Sequence, residues 1–247
     1  MVENNEKMEA VIVDTTPVGY GNSSISTLEG ADQVRKKPAV IFGTEDVNGC
    51  AHSIFEIISN SIDEAREGYG NCIEVTVNED YSVKVRDYGR GVPMDYSPAQ
   101  SKFNWELVYC TLYASGKYDA DNYKTSLGLT GLGCTATQYA SEYMRVTSVR
   151  DGMKYIKNFE KGVPVGDLQK IPCTDEQTGT TVEFKPDAEV FSGIDVPMEF
   201  FTMNLRRQAM LHGGIKFILN YMGEEIEYLY KSGAVAYLKE MCHNAIN

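Results

Sequence analysis

The 247-residue chain has little that would place it in a membrane, a secretory route or a disulfide scaffold. No window approaches the ~18 consecutive apolar residues that a membrane-spanning helix needs. The N-terminus lacks the basic stretch and apolar run of a secretory signal. The six cysteines (Cys50, Cys72, Cys110, Cys134, Cys173 and Cys242) are scattered and form no Cys-x-x-Cys pair, so reduced thiols in a cytoplasmic protein are expected. Cysteine and histidine do not cluster at zinc-ligand spacing, and a Gly-x-Ser-x-Gly elbow is absent. Positive charge is scarce: 23 Lys and Arg against 35 Asp and Glu leave a net charge of −12. That balance argues against a general nucleic-acid clamp, which neutralises phosphates with clustered cations. Arg35-Lys36-Lys37 is too short a basic run to change this. Internal repeats and low-complexity tracts are also lacking.

What remains is a chain long enough for one large domain, or for one domain and the start of another. Residues 1–24 are polar, without a sustained period, and read as an extended arm. A short helix is expected over 27–37, stopped by Pro38. Apolar Ile54, Ile57, Ile58, Ile62 and Ala65 recur at helical spacing over 50–67, with Gly68 as a stop. Residues 73–77 and 83–86 alternate apolar and polar across Asn78-Glu79-Asp80, a hairpin pattern. A helix is expected over 101–113, then a long glycine-bearing loop over 115–133 of the kind that serves as a lid. A helix over 134–141 and strands near 143–149, 153–160 and 179–185 follow. A helix over 198–211, a hairpin of 214–220 and 224–230 across Met222-Gly223, and a helical stretch from Ala234 complete the pattern. Helices grouped with a largely antiparallel sheet make an α+β two-layer sandwich.

Three short motifs carry chemistry. In the first, Glu56 and Asn60 lie four residues apart and share a helix face, with His52 four residues earlier. A carboxylate there can orient and deprotonate a water attacking a γ-phosphate, and an Asn oxygen suits Mg²⁺, a hard cation that keeps several waters. A solvated helix face is the plain alternative, and Asp63 and Glu64 read as exposed or salt-bridging positions. The second motif is Asp87-Tyr88-Gly89-Arg90-Gly91-Val92-Pro93, after a strand. A carboxylate accepts from the exocyclic amine of adenine, Gly91 lets the backbone approach the base, and Pro93 stiffens the exit; a simple turn is the alternative. The third is Gly128-Leu129-Thr130-Gly131-Leu132-Gly133, at the mouth of a helix whose N–H groups face anions. It is neither a Walker A loop, since no Gly-Lys-Ser/Thr follows, nor a Rossmann turn, since no strand immediately precedes it. Lys117 and Lys124 flank it as phosphate or solubility residues, and Arg90, Arg150 and Tyr123 are further candidates.

The order and spacing of these motifs resemble the GHKL ATPase superfamily, whose nucleotide domain is the Bergerat fold. Leu28–Pro38, Leu112–Tyr118, Tyr123–Ser126 followed by Gly128, and Thr178-Gly179-Thr180 narrow the likeness to the ATPase domains of type IIA topoisomerases, of the gyrase B and topoisomerase IV kind. The likeness runs from about Tyr20 to about residue 220. It implies helices on one face of a mostly antiparallel mixed sheet. It further implies an arm over 1–24, an ATPase domain over 25–220, and a linker or the start of a transducer domain over 221–247. Glu56 is then the general base with His52 in support, and Asn60 holds Mg²⁺. Asp87 reads adenine beside Thr180, Gly91 lines the base pocket, and Lys117 and the backbone at 131–133 bind phosphates. Tyr123 sits by the ribose or lid, and Tyr20 reaches from the arm into a partner's site. Arg90 and Arg150 rim the pocket, where aminocoumarins bind the family. ATP and Mg²⁺, a nucleotide-dependent homodimer, and DNA and a cleavage subunit engaged through regions absent here are the implied partners. Ile41, Leu127, Thr130 and Ser59 stand where the family often has Tyr, Gly, His and Asp. A chaperone or mismatch-repair member of the superfamily, or a regulatory module without turnover, stays open as an alternative.

Overall fold

The structure is a computed structural model that describes residues 27–114, 131–235 and 237. Its frame is an eight-stranded mixed sheet in the order β10-β9-β1-β2-β8-β5-β6-β7. The strands are β1 (Cys72–Val77), β2 (Val83–Asp87), β5 (Ser141–Arg150), β6 (Met153–Glu160), β7 (Val163–Pro172), β8 (Gly179–Pro186), β9 (Lys216–Tyr221) and β10 (Glu224–Tyr228). A two-stranded ribbon, β3 (Tyr96–Ser97) with β4 (Lys102–Phe103), stands apart from it. Only β1 and β9 pair in parallel; every other pairing in the large sheet is antiparallel.

Register puts one row of apolar residues across the sheet. Leu219, Val75, Val85, Val182 and Val146 are successive cross-strand partners, and all are buried. Because side chains alternate along a strand, Asp87 at the end of β2 points to the same face as Val83 and Val85. Helix α3 (Val47–Arg66) packs on that face against β1, β2 and β8, α5 (Gly133–Tyr139) packs on α3 and β5, and α6 (Met198–Leu211) on β9 and β10. Ile54, Ile57, Ile58 and Ile62 of α3 are each 2% exposed or less. Such burial is worth about 1.5–3 kcal/mol per side chain, which holds α3 firmly to the sheet. Asp46 starts α3 by accepting the Asn48 N–H at 2.8 Å. Among the described residues no helix is long and apolar enough to cross a membrane.

Some sequence expectations change. The helix expected over 27–37 is two shorter ones, α1 (Asp32–Arg35) and α2 (Pro38–Phe42): Pro38 not only stops the first but opens the second, at a position where its missing N–H costs nothing. The helix expected over 101–113 is α4 (Asn104–Cys110), because residues 102–103 pair as β4. Strand β7 was not expected. Nine of its ten residues are exposed, so no apolar alternation marks it, and it holds two prolines and a glycine at the sheet edge. The hairpin expected across Met222-Gly223 forms, as β9 with β10. Most of the 115–133 loop, the arm over 1–24 and nearly all of the helical stretch expected from Ala234 lie outside the described residues.

Candidate active site

The four-residue spacing of His52, Glu56 and Asn60 puts them on the face of α3 opposite its isoleucines. Nε2 of His52 is 3.3 Å from Oε1 of Glu56, and its Nδ1 is 3.2 Å from the Phe42 carbonyl oxygen. Nδ2 of Asn60 donates to the Glu56 carbonyl at 2.8 Å and lies 3.2 Å from Sγ of Cys134. Ser59, one residue before, is buried and donates to the same Glu56 carbonyl at 2.9 Å. The start of α5 faces this group directly. A Cβ on Gly133 would collide with Oε2 of Glu56, so the carboxylate occupies the space a side chain would need. The sequence motifs at 56–60 and 131–133 are therefore neighbours in the fold. Cys134, which sequence reasoning did not single out, sits between them.

The second cluster forms at the end of β2. Oδ1 of Asp87 accepts the Gly89 N–H at 3.0 Å and the Thr180 N–H at 3.1 Å, and Oδ2 accepts the Ser61 hydroxyl at 3.1 Å. The carboxylate is 5% exposed. Burial pushes its pKa above the usual aspartate value, with the three donors acting against that rise. The turn that follows is fastened from three elements. Glu64 of α3 accepts the Arg90 N–H at 3.3 Å. The Val92 N–H donates to Oγ1 of Thr180 at 3.0 Å, and the Val92 carbonyl accepts from Ser148 of β5 at 2.7 Å. Nη1 of Arg150 donates to the Gly91 carbonyl at 3.0 Å. Gly91 has φ +78°, and a Cβ there would sit 2.6 Å from the Val149 carbonyl oxygen, so only glycine fits this turn. Pro93 leaves the turn immediately afterwards.

Helix α3 joins the two clusters, since Glu56 belongs to one and Ser61 to the other. They are five residues apart, roughly 7–8 Å along the axis. Ser61 and Ser148 are the fastening residues that sequence reasoning missed. Ser61 did carry a signal, as a polar residue on the Ile54-Ile57-Ile58-Ile62 stripe. Ser148 carried none. Arg90 turns to Oε1 of Glu64 at 2.7 Å and stacks 3.9 Å over the Tyr69 ring. Arg150 also pairs with Asp151 at 3.0 Å. Asp63 is buried and 3.7 Å from Arg66, so it belongs with the salt-bridging positions, not the exposed ones. Tyr20, Lys117, Tyr123, Lys124 and Gly128 lie outside the described residues.

The two described histidines differ in environment. The hydrogen bond to Glu56, helped by that to Phe42, raises His52 above the ordinary 6.5, while burial and then the Arg66 charge lower His212. Protonated His52 therefore stabilises the fold in full below about pH 6.5, and that contribution is lost as pH rises through its raised pKa. A two-dimensional NMR titration should find His52 titrating above His212. Glu56→Gln should bring His52 back toward 6.5. The reverse order would contradict the Glu56–His52 contact.

Residues 45–190 match the family model described as "Histidine kinase-, DNA gyrase B-, and HSP90-like ATPase", more than half of the chain. The chain is 40% identical over 229 residues to the B-type subunit of DNA topoisomerase 4 from Enterococcus faecalis, covering 90% of this chain and 33% of that protein. It is 38% identical over 222 residues to the B-type subunit of DNA gyrase from Thermotoga maritima, covering 89% of this chain and 35% of that one. It spans about a third of the length of these curated relatives. Among solved structures it superposes with the 43K ATPase domain of Thermus thermophilus gyrase B in complex with an aminocoumarin. The TM-score is 0.73 at 31% identity, over 85% of this chain and 54% of that one. The mixed sheet with helices, the apposed Glu56 and Gly133 and the family match agree: this chain belongs to the histidine kinase-, DNA gyrase B- and HSP90-like ATPases.

Proposed function

We propose that this chain binds and hydrolyses ATP as the ATPase domain of a bacterial type II DNA topoisomerase, driving ATP-gated closure of a dimer for DNA strand passage. The observation that carries this reading is the apposition of Glu56 to Gly133 near the middle of α3, with the Asp87 cradle held by Ser61 five residues further along the same helix. Adenine lies against Asp87, beside Thr180 and the Gly91-Val92-Pro93 turn, and its amine donates to the carboxylate. The phosphates run toward the backbone of Gly131, Leu132 and Gly133. Glu56, steadied by His52, takes the proton of the water that attacks the γ-phosphorus.

The donor set fits Mg²⁺. Asn60 carries an amide oxygen, a hard ligand of the kind Mg²⁺ takes, on the same helix face as Glu56, whose carbonyl accepts from its Nδ2 at 2.8 Å. Held by Asn60, magnesium would supply neutralisation of phosphate charge at this site. The resemblance extends the site to Lys117 at the phosphates, Tyr123 at the ribose or lid, and Tyr20 in a partner's site, and the glycine-rich loop itself offers Gly128 and the flanking Lys124 to the phosphates. It also implies an arm over 1–24, a linker or transducer start over 221–247, a cytoplasmic location, and DNA and a cleavage subunit engaged through other regions. Arg90 and Arg150 at the Gly91 turn suit the rim of an aminocoumarin site, the ligand of the Thermus thermophilus domain. The names of the relatives favour this reading over a chaperone or mismatch-repair role.

Calorimetry of the chain with a non-hydrolysable ATP analogue, with and without Mg²⁺, checks it. The parent should bind more tightly with Mg²⁺. Asn60→Ala should bind with most of that gain lost. A metal effect undiminished in the variant would put the ion elsewhere, and no binding by the parent would overturn the reading.

A further inference from the structure

An ionised carboxylate offers about four lone-pair positions. Among the described residues three of those on Asp87 are filled: two on Oδ1 by the N–H groups of Gly89 and Thr180, and one on Oδ2 by the Ser61 hydroxyl. The position that remains is on Oδ2, the oxygen Ser61 holds. Both residues are deeply buried, Ser61 at 4% and Asp87 at 5% exposure, so water does not substitute freely for the hydroxyl. We propose that Ser61 is a specificity-determining positioning residue, which keeps Asp87 a hydrogen-bond acceptor and so selects 6-aminopurine over 6-oxopurine nucleotides. This inference rests on the reading of Asp87 as the acceptor for adenine.

The chemistry follows from what each purine presents. A 6-amino group donates and needs an acceptor. A 6-oxo group accepts, and meets a carboxylate unfavourably unless that carboxylate is protonated. Charge around Asp87 already leans toward protonation. Glu64 of the same helix raises its pKa, although Arg90 pairs with Glu64 at 2.7 Å. From α4 the fully buried Tyr109 is neutral, and β8 brings the backbone N–H of Thr180. Of the donors opposing protonation, Ser61 is the one from a side chain. Without it Oδ2 loses a charge-assisted hydrogen bond, the carboxyl protonates at higher pH, and its O–H becomes a donor for a 6-oxo group.

The test is the affinity of non-hydrolysable ATP and GTP analogues for the parent, Ser61→Ala and Asp87→Asn, by calorimetry at pH 5.5, 6.5 and 7.5. Alanine is smaller than serine and the better helix former, so α3 is retained. The parent should prefer the ATP analogue throughout. Ser61→Ala should narrow that preference by about tenfold, most at pH 5.5, where protonation is furthest advanced. An unchanged ratio in Ser61→Ala at all three pH values overturns the inference. If Asp87→Asn loses the ATP analogue while Ser61→Ala keeps the parent ratio, the role of Ser61 alone is wrong. If Asp87→Asn binds both analogues as the parent does, the adenine reading itself falls.

Discussion

Replacing Glu56 with alanine should slow ATP hydrolysis by roughly 10²–10⁴-fold while leaving the affinity for an ATP analogue within a few-fold of the parent. Loss of a general base removes a proton acceptor used only in the transition state. The contacts proposed to hold the base and phosphates come from other residues: Asp87, Thr180 and the backbone at 131–133. Alanine also vacates the space that Glu56 fills beside Gly133 and leaves His52 only its contact with the Phe42 carbonyl. Glu56→Gln is therefore the cleaner companion, since it keeps the volume and should lose turnover to a similar degree. Steady-state phosphate release and calorimetry on the same preparations separate the two effects. Turnover at the parent rate in either variant would remove Glu56 from the role of base.

Asp87→Asn should weaken adenine nucleotides by about 1–3 kcal/mol, a loss of roughly 5- to 150-fold in affinity. The two backbone N–H groups of Gly89 and Thr180 demand an acceptor, so the amide oxygen of Asn turns to them and its NH₂ takes the place of Oδ2. That NH₂ then faces the adenine amine, donor against donor. The fold should not suffer equally. Burial pushes the Asp87 carboxyl up, so its ionised form costs stability that is lost progressively as pH rises through its raised pKa. A neutral isostere escapes that cost, and the variant should melt no lower than the parent at neutral pH. Unchanged affinity for the ATP analogue would contradict the placement of adenine at Asp87.

Local pattern and long-range assembly were unequally legible in the sequence. Helix α3 was clear because its isoleucines repeat at helical spacing, and the same repeat set His52, Glu56 and Asn60 on the other face. Asp87 at the end of an alternating strand was clear for the same kind of reason. What brings Gly133 against Glu56 is the packing of α5 on α3, and what brings Thr180 and Ser148 against the 87–93 turn is pairing between strands distant in sequence, β2 with β8 and β5 with β8. No local period encodes those partners; the resemblance to a known family supplied Thr180 and supplied nothing for Ser148. The edge strand β7 escaped because an exposed strand needs no apolar alternation. The parallel pairing of β1 with β9, across more than half the chain, was equally invisible. Ser61 was legible only as a break in an apolar stripe, and its use became plain once β2 lay beneath α3.

The most direct measurement is the backbone amide NMR spectrum of the chain on addition of a non-hydrolysable ATP analogue with Mg²⁺. The largest shifts should fall on Gly89, Gly91, Val92 and Thr180 around the base, and on Gly131 and Gly133 beside Glu56, with a GTP analogue far weaker at the same concentration. Shifts confined to other surfaces, such as the roughly 340 Å³ cavity lined by Arg66, Glu67 and His212, would contradict a nucleotide site running from Glu56 of α3 to Asp87 at the end of β2.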